Sequence, residues 1–355
     1  FLGYRKGPDG LPEIVEEEAK IVRQIYRMFL YGKAPNAIAR CLTEAGISTP
    51  GGKTTWRAKV VESILTNEKY KGDALLQKSV TVDYLQKKIK LNEGEAQQYY
   101  VEGSHPAIIQ PELFDLAQYE MKRRKADTIQ SFSTHPFTSK LFCGECGGRY
   151  GSMVEHTTDK YRRAVWVCGN KRYHGLKCRT ERLLDSEIQT AFLEAFNRIL
   201  GRRTQIMEAY HEVLGVLTDT TALDADLARL SEESEVVAAM IQKTVDENAS
   251  TAQDQQEYER KYTALCERYM DTKRQLDELS EQRAERLAKR TKITMFLEEL
   301  NAQKDFVTEF DEEVWYMTVD RVDVYAQMRL IFTFKDGSTV EVQAKKAAPR
   351  SLTAV

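Results

Sequence analysis

The amino-acid sequence predicts an α+β chain of several domains, and three patterns predict it. Residues 1 to about 128 mix apolar residues at helical spacing with short alternating stretches. Four of the six cysteines fall within the 36 residues that begin at Cys143. From Leu223 to about Leu300 the chain is rich in Ala, Glu, Lys, Leu, Arg and Gln and has neither Pro nor Gly, and a period-2 pattern follows. At 355 residues it is too long for one ordinary domain. The expected limits are a first domain at 1–128, a linker at 129–140, a metal-binding domain beginning at 141–222, a helical insertion at 223–300, strands returning to that domain at 301–345, and a tail at 346–355.

In the first domain, "EIVEEEAKIVRQIYRMFLYG" is amphipathic. Ala19, Val22, Ile25, Tyr26, Phe29 and Leu30 recur on one helical face. Glu16, Glu17 and Glu18 load the first turn, where the helix dipole favours acids, and Gly32 ends the helix. "APNAIARCLTEAGI" reads as a second helix with Ile38, Ala39 and Leu42 inward. After the loop "STPGGK", "TTWRAKVVESILTN" reads as a third helix running to Leu65 with Thr54 or Thr55 as N-cap. Trp56, Val60, Val61, Ile64 and Leu65 should face the core, leaving Arg57, Lys59 and Ser63 outside. A short helix, a Gly-containing turn and a helix with a basic start make a helix-turn-helix-like pattern. "YKGDALLQKSVTVD" and "AQQYYVEGSHPAII" read as strands. "PELFDLAQYEMKRRKAD" reads as a helix whose final basic run, Lys122 to Lys125, suits its own dipole as well as it suits DNA.

The cysteine spacing is C-x2-C-x21-C-x9-C, formed by Cys143, Cys146, Cys168 and Cys178. A redox CxxC needs no second pair, and a disulfide framework belongs to small secreted domains. Four thiolates around one structural Zn²⁺ is the economical reading, with His174 as an alternative to Cys178. Gly147 and Gly148 suit a tight turn that directs amides at thiolate sulfur. Cys41 and Cys266 sit on helical patterns and read as small packed thiols.

Charge is segregated. From Lys140 to Arg182 there are ten Lys and Arg against four acids, while the whole chain carries −2. Basic residues alternate with aromatics in "DKYRRAVWVCGNKRYHG". A polyanion partner, double-stranded DNA first, is expected at Arg149, Arg162, Arg163, Lys171, Arg172, Lys177 and Arg179. Residues 223–300 instead hold 18 acids and 12 bases. Leu223, Leu227, Leu230, Val237 and Ile241 mark one arm; Tyr258, Tyr262, Leu265, Tyr269, Leu276 and Leu279 mark another at heptad-like steps. They predict an antiparallel coiled-coil hairpin whose acidity favours a protein partner over DNA. "VDRVDVYAQMRLIFTFKDGSTVEVQA" alternates at period 2 around a turn at Lys335-Asp336-Gly337 and is expected to close back on the metal domain. No apolar run is long enough to span a bilayer.

Gly3-Tyr4, Glu18-Ala19, Ile21 to Tyr26, Ile38 to Leu42, Trp56 through Gly72, "SHPAII" and "LFCGECGG" together resemble the large serine site-specific recombinases of phages and transposons. The resemblance spans nearly the whole chain. It implies a recombinase domain, a zinc ribbon with β-hairpins, and an inserted coiled coil. It further implies binding to attachment-site half-sites in the cytoplasm of a bacterial host, on its nucleoid. Tyr4, Arg5 and Lys6 would lie at the minor groove, with Lys53, Thr54, Thr55, Arg57 and Lys59 near bases. The family integrates and excises DNA through a 5′-phosphoserine link made by an N-terminal resolvase-like domain. That domain is expected to precede Phe1, so no serine here is assigned as nucleophile. Self-association through the coiled coil and a recombination directionality factor are the further partners implied. Other readings are a zinc-containing transcription regulator without catalysis, an HNH-type zinc nuclease, for which His156 and His174 lack the spacing, and a coiled-coil scaffold whose zinc ribbon is purely structural.

Overall fold

The computed structural model describes residues 1–8, 10–83, 88–92, 94–126, 135–155, 163–251, 254–303 and 305–346. The chain divides into two compact units, residues 1–207 with 292–355, and residues 208–291.

The larger unit opens with an antiparallel ribbon, β1 (Tyr4–Lys6) and β2 (Pro12–Ile14). Helices α1 (Glu16–Leu30), α2 (Pro35–Glu44) and α3 (Ala58–Leu65) follow. Each buries its apolar stripe in one core with Leu2, Tyr4, Trp56, Tyr70, Ile108 and Phe114. Short strands come next: β3 (Ala74–Leu76), β4 (Ser79–Asp83), β5 (Lys88–Leu91) and β6 (Tyr99–Val101). β3 pairs with β6, and β4 with β5. Helix α4 (Pro111–Ala126) then packs across α1 and α3. Gly72 is required where it stands. Its φ is +95°, and a Cβ there would lie 2.7 Å from the His105 carbonyl.

Helix α3 begins two to three residues later than the Thr54 or Thr55 N-cap expected from the sequence. Its N-cap is Arg57, with no side-chain cap. Thr54 and Thr55 are exposed in the preceding segment. What fixes the start is Trp56, which is buried. Its backbone N–H donates to Thr43 Oγ1 at 3.0 Å and its indole N–H to the Ile47 carbonyl at 2.7 Å.

The second half of the larger unit holds β7 (Leu141–Cys143), β8 (Tyr150–Glu155), β9 (Arg163–Cys168), the single turn α5 (Gly169–Tyr173), β10 (Leu183–Leu184) and α6 (Asp185–Leu200). Strands β10, β9 and β8 form an antiparallel sheet in that order. Helices α7 (Arg203–Leu217), α8 (Thr221–Ser250) and α9 (Gln255–Ala302) follow. The chain then returns through α10 (Glu312–Thr318), β11 (Val319–Val324), β12 (Arg329–Phe334) and β13 (Thr339–Gln343). A second sheet has the order β13-β12-β11-β7, with β11 parallel to β7 through Val322↔Leu141 and Val324↔Cys143. Its buried face, with Leu330, Phe332 and Phe334, packs with Phe192, Phe196, Phe296 and Trp315 in one core.

Two limits read from the sequence differ from the structure. Residues 135–140, expected as linker, join the core: Phe137 is fully buried and Trp315 Nε1 donates to the Pro136 carbonyl at 2.9 Å. The rest of that linker, 129–134, and the tail beyond 346 lie outside the described residues. The last turns of α9, assigned above to the insertion, also belong to the larger unit, because Phe296 and Leu300 are buried in its core.

The smaller unit is a long helix pair. Leu223, Leu230 and Val237 of α8 are buried along it, and ion pairs Asp224–Arg283 and Glu233–Arg268 tie α8 to α9 in antiparallel order. The seam also holds Ser234 and Thr272, both buried, so it is narrower than an all-leucine heptad seam. Among the described residues no helix is long and apolar enough to cross a membrane.

Candidate metal centre and nucleic-acid interface

Strand β7 delivers Cys143, the turn after it Cys146, the end of β9 Cys168, and the loop before β10 Cys178. Their four sulfurs lie within 4.8 Å of one another. Tetrahedral zinc with Zn–S bonds of about 2.3 Å sets its sulfurs about 3.8 Å apart, and Cys146 Sγ is 3.6 Å from Cys168 Sγ. The donor set fits that ion chemically as well. Burial opposes ionisation of Cys146, but the Gly148 N–H and the neighbouring thiols donate to its sulfur and bring it down to about 7. Cys178 is pushed up to about 12, first by its bond to Cys146 and then by burial. Four thiolates this close cannot ionise together without a dication between them. His174 is exposed and outside this cluster, so the four-cysteine set is the one the fold assembles.

An outer ring steadies the sulfurs. Thr180 Oγ1 lies 3.6 Å from Cys143 Sγ, and Asn170 Nδ2 donates to Cys146 Sγ at 3.6 Å. Asn170 was not legible in the sequence, where its only signal is a position two residues after Cys168.

The basic residues around this centre are placed unequally. Lys171, Arg172, Lys177 and Arg179 are exposed on the segment between β9 and β10. Lys171 Nζ also donates to the Thr180 carbonyl at 3.0 Å. Arg149 is half-buried over the Phe142 ring. Arg163 is exposed and paired with Glu155 at 3.1 Å. Arg162 lies outside the described residues.

In the first domain, Lys53, Thr54, Thr55, Arg57 and Lys59 are all exposed and follow one another through the turn into α3. That turn is closed by Thr49, whose N–H donates to the Lys53 carbonyl at 2.8 Å and whose Oγ1 accepts the Lys53 N–H at 2.9 Å. Arg5 and Lys6 are exposed on β1, Arg5 paired with Glu13 at 3.1 Å. Tyr4 departs from the expected DNA contact. It is buried, and its hydroxyl donates to the Pro106 carbonyl at 2.7 Å. Burial lifts its pKa to about 12. With the Gly3 N–H donating to Glu18 at 2.7 Å, Tyr4 fastens the ribbon that carries Arg5 and Lys6.

The basic run ending α4 turns inward in part. Glu120 is buried and accepts from Arg123 at 2.9 Å; Lys292 of α9 lies 2.6 Å away and Arg124 3.6 Å. Burial would raise the Glu120 pKa, but Lys292 and Arg123 outweigh it and bring it to about 2. A second polar contact across the same seam joins Tyr31, whose hydroxyl donates to Glu313 at 2.7 Å. The first domain and the sheet domain are thus joined by charge as well as by apolar packing.

Comparison with known proteins follows the same division. Residues 16–124 match the Recombinase family model, and residues 136–197 match the recombinase zinc beta ribbon domain. A putative DNA recombinase of Bacillus subtilis (strain 168) is 34% identical over 183 residues, which are 47% of this chain and 35% of that protein's length. A solved structure, described as a crystal structure of an LSR–DNA complex, aligns over 94% of this chain and 92% of its own, with 18% identity and a TM-score of 0.40. This chain therefore carries, in order, a segment similar to the Recombinase domain and a segment similar to the recombinase zinc beta ribbon domain.

Proposed function

We propose that this chain binds the half-sites of DNA attachment sites for a site-specific recombinase, with its first domain and its zinc ribbon as two DNA-binding modules. The observation that carries this reading is the pair of exposed basic surfaces: Lys53, Arg57 and Lys59 at the start of α3, and Lys171, Arg172, Lys177 and Arg179 beside the cysteine cluster. Both stand on defined supports, a tryptophan-pinned helix start and a loop that ends in the four-cysteine cluster. Rigid cations at fixed positions suit the periodic phosphates of a duplex. Helix α3 also presents its N-terminal N–H groups where Arg57 and Lys59 stand, which favours phosphate. One Zn²⁺ held by Cys143, Cys146, Cys168 and Cys178 is structural in this reading, since four protein thiolates leave no open position.

The helix pair of the smaller unit is proposed to join DNA-bound assemblies to one another, and to be the point at which a directionality factor acts. Its support is its acidity: 18 acids against 12 bases over residues 223–300 disfavour phosphate. Strand cleavage through a 5′-phosphoserine is proposed for the whole enzyme, and no residue described here is assigned to it.

A gel-shift or anisotropy titration tests the binding claim, using a duplex recovered by selection from a random library. Binding should weaken steeply between about 50 and 200 mM salt as phosphate counterions are exchanged. Binding insensitive to salt, or no preference for the selected duplex over a scrambled one, would reject it.

A further inference from the structure

The loop from Cys168 to Cys178 carries more than charge. With the two residues that follow it, the stretch 169–180 holds four cations and no acid. In its middle stand two large apolar side chains that the protein leaves in water, Tyr173 at 70% exposure and Leu176 at 48%. The shape of the loop is set from the side of the cysteine cluster. The Asn170 carbonyl accepts the His174 N–H at 3.0 Å and the Leu176 N–H at 3.4 Å, while its side-chain amide donates to Cys146 Sγ. Gly148 makes room for that amide, since a Cβ there would lie 2.6 Å from Asn170 Nδ2. Gly175, with φ +66°, reverses the chain between the two apolar residues. The Arg172 guanidinium lies 5.0 Å from the Tyr173 ring centroid.

We propose that Tyr173 and Leu176 form an apolar wedge that enters a groove of duplex DNA, with Asn170 as the positioning residue that couples the wedge to the zinc centre. This deepens the DNA-binding reading and rests on it. Charge complementarity selects the occupant: an exposed apolar pair flanked along the chain by Lys171, Arg172, Lys177 and Arg179 meets a polyanion before it meets an apolar partner. Phosphate contacts grip the two backbones, and the sugars and bases between them offer the apolar surface.

Salt dependence separates the two kinds of contact. Apolar contacts release no counterions, whereas each lost phosphate contact lowers the salt slope by about one. The full chain, checked for zinc content, is titrated with the selected duplex at several salt concentrations. Tyr173→Ala and Leu176→Ala should each weaken binding by about tenfold with an unchanged salt slope. Tyr173→Phe should bind nearly as the parent. Lys177→Ala should lower the slope. Asn170→Ala should keep its zinc and still show the affinity loss of Tyr173→Ala. Parent-like affinity in both alanine variants, or a fall in their salt slope, overturns the wedge while leaving DNA binding in place. A parent chain that fails to bind any duplex overturns the DNA reading and the wedge with it.

Discussion

Cys143 sits at the end of β7, paired with the end of β11, so one thiol links the cysteine cluster to the tail strands. Cys143→Ser should therefore act at a distance. Zinc content should drop from about one per chain. Hydrogen-exchange protection should fall at 141–184 and at 319–343, and stay nearly parental at 16–65. Equal loss everywhere would mean that the first domain depends on the metal for its fold. Arg57 poses a different question, because its position at the start of α3 allows either a base or a phosphate contact. If the guanidinium reaches a base edge, Arg57→Ala should lose ~1–3 kcal/mol on the selected duplex and little on scrambled DNA. Equal losses on both duplexes assign it to phosphate. The buried Tyr4 shows what residue-level reading of a sequence misses. Tyr beside Arg and Lys looks like a nucleic-acid contact, and only the fold reveals that Pro106, a hundred residues on, supplies its partner.

At the scale of elements, periodicity exposed most of the helices and nearly none of the seams. The apolar stripes of α1 and α2, the heptad steps of α8 and α9, and the alternation of β11 to β13 are local signals, and local signals survive in a single sequence. The α3 start misled because Thr54 and Thr55 are good caps in isolation, while Trp56, bonded to α2 and the loop after it, decides where the helix begins. The parallel pairing of β7 with β11 joins residues about 180 apart and leaves no periodic trace. Glu120 is hidden for the same reason. In the sequence it belongs to an ordinary charged helix, but in the fold it is a buried carboxylate facing Lys292. Its low folded pKa stabilises the native state above the ordinary value of 4.5, and that stabilisation is lost as pH falls from there toward about 2. An acid titration of unfolding should show this loss, and Glu120→Gln should flatten it. Lys292→Ala should cost about 1–3 kcal/mol, since Arg123 still faces the carboxylate. An acid profile identical in Glu120→Gln and the parent would remove Glu120 from the account.

At the scale of the whole molecule, the helix pair is a separate compact unit, and its boundary sets how it can be removed. Excision should span 208–291 rather than 223–300, because Phe296 and Leu300 complete the core of the larger unit. The Arg203 guanidinium donates to the Gln303 carbonyl, which holds the start of α7 beside the end of α9 within the larger unit, and a short flexible linker would join residues 207 and 292. A chain so shortened should keep its zinc and bind one selected duplex nearly as the parent does. What it should lose is the bridging of two duplexes, read in a single-molecule tethering assay. Undiminished bridging would contradict the proposed role of the pair, and lost duplex binding would make it part of the DNA-binding surface.

Two cationic surfaces, one on each proposed DNA-binding module, are proposed to grip a single duplex, and this joint grip is directly measurable. It is tested most directly by the salt slope of binding in the parent, in Arg57→Ala/Lys59→Ala, in Lys171→Ala/Lys177→Ala, and in the four combined. If both surfaces contact one DNA molecule, each double variant should lower the slope by about one to two, and the combined variant by about their sum. A combined slope no lower than that of one double variant, or a parent with no slope at all, would contradict it.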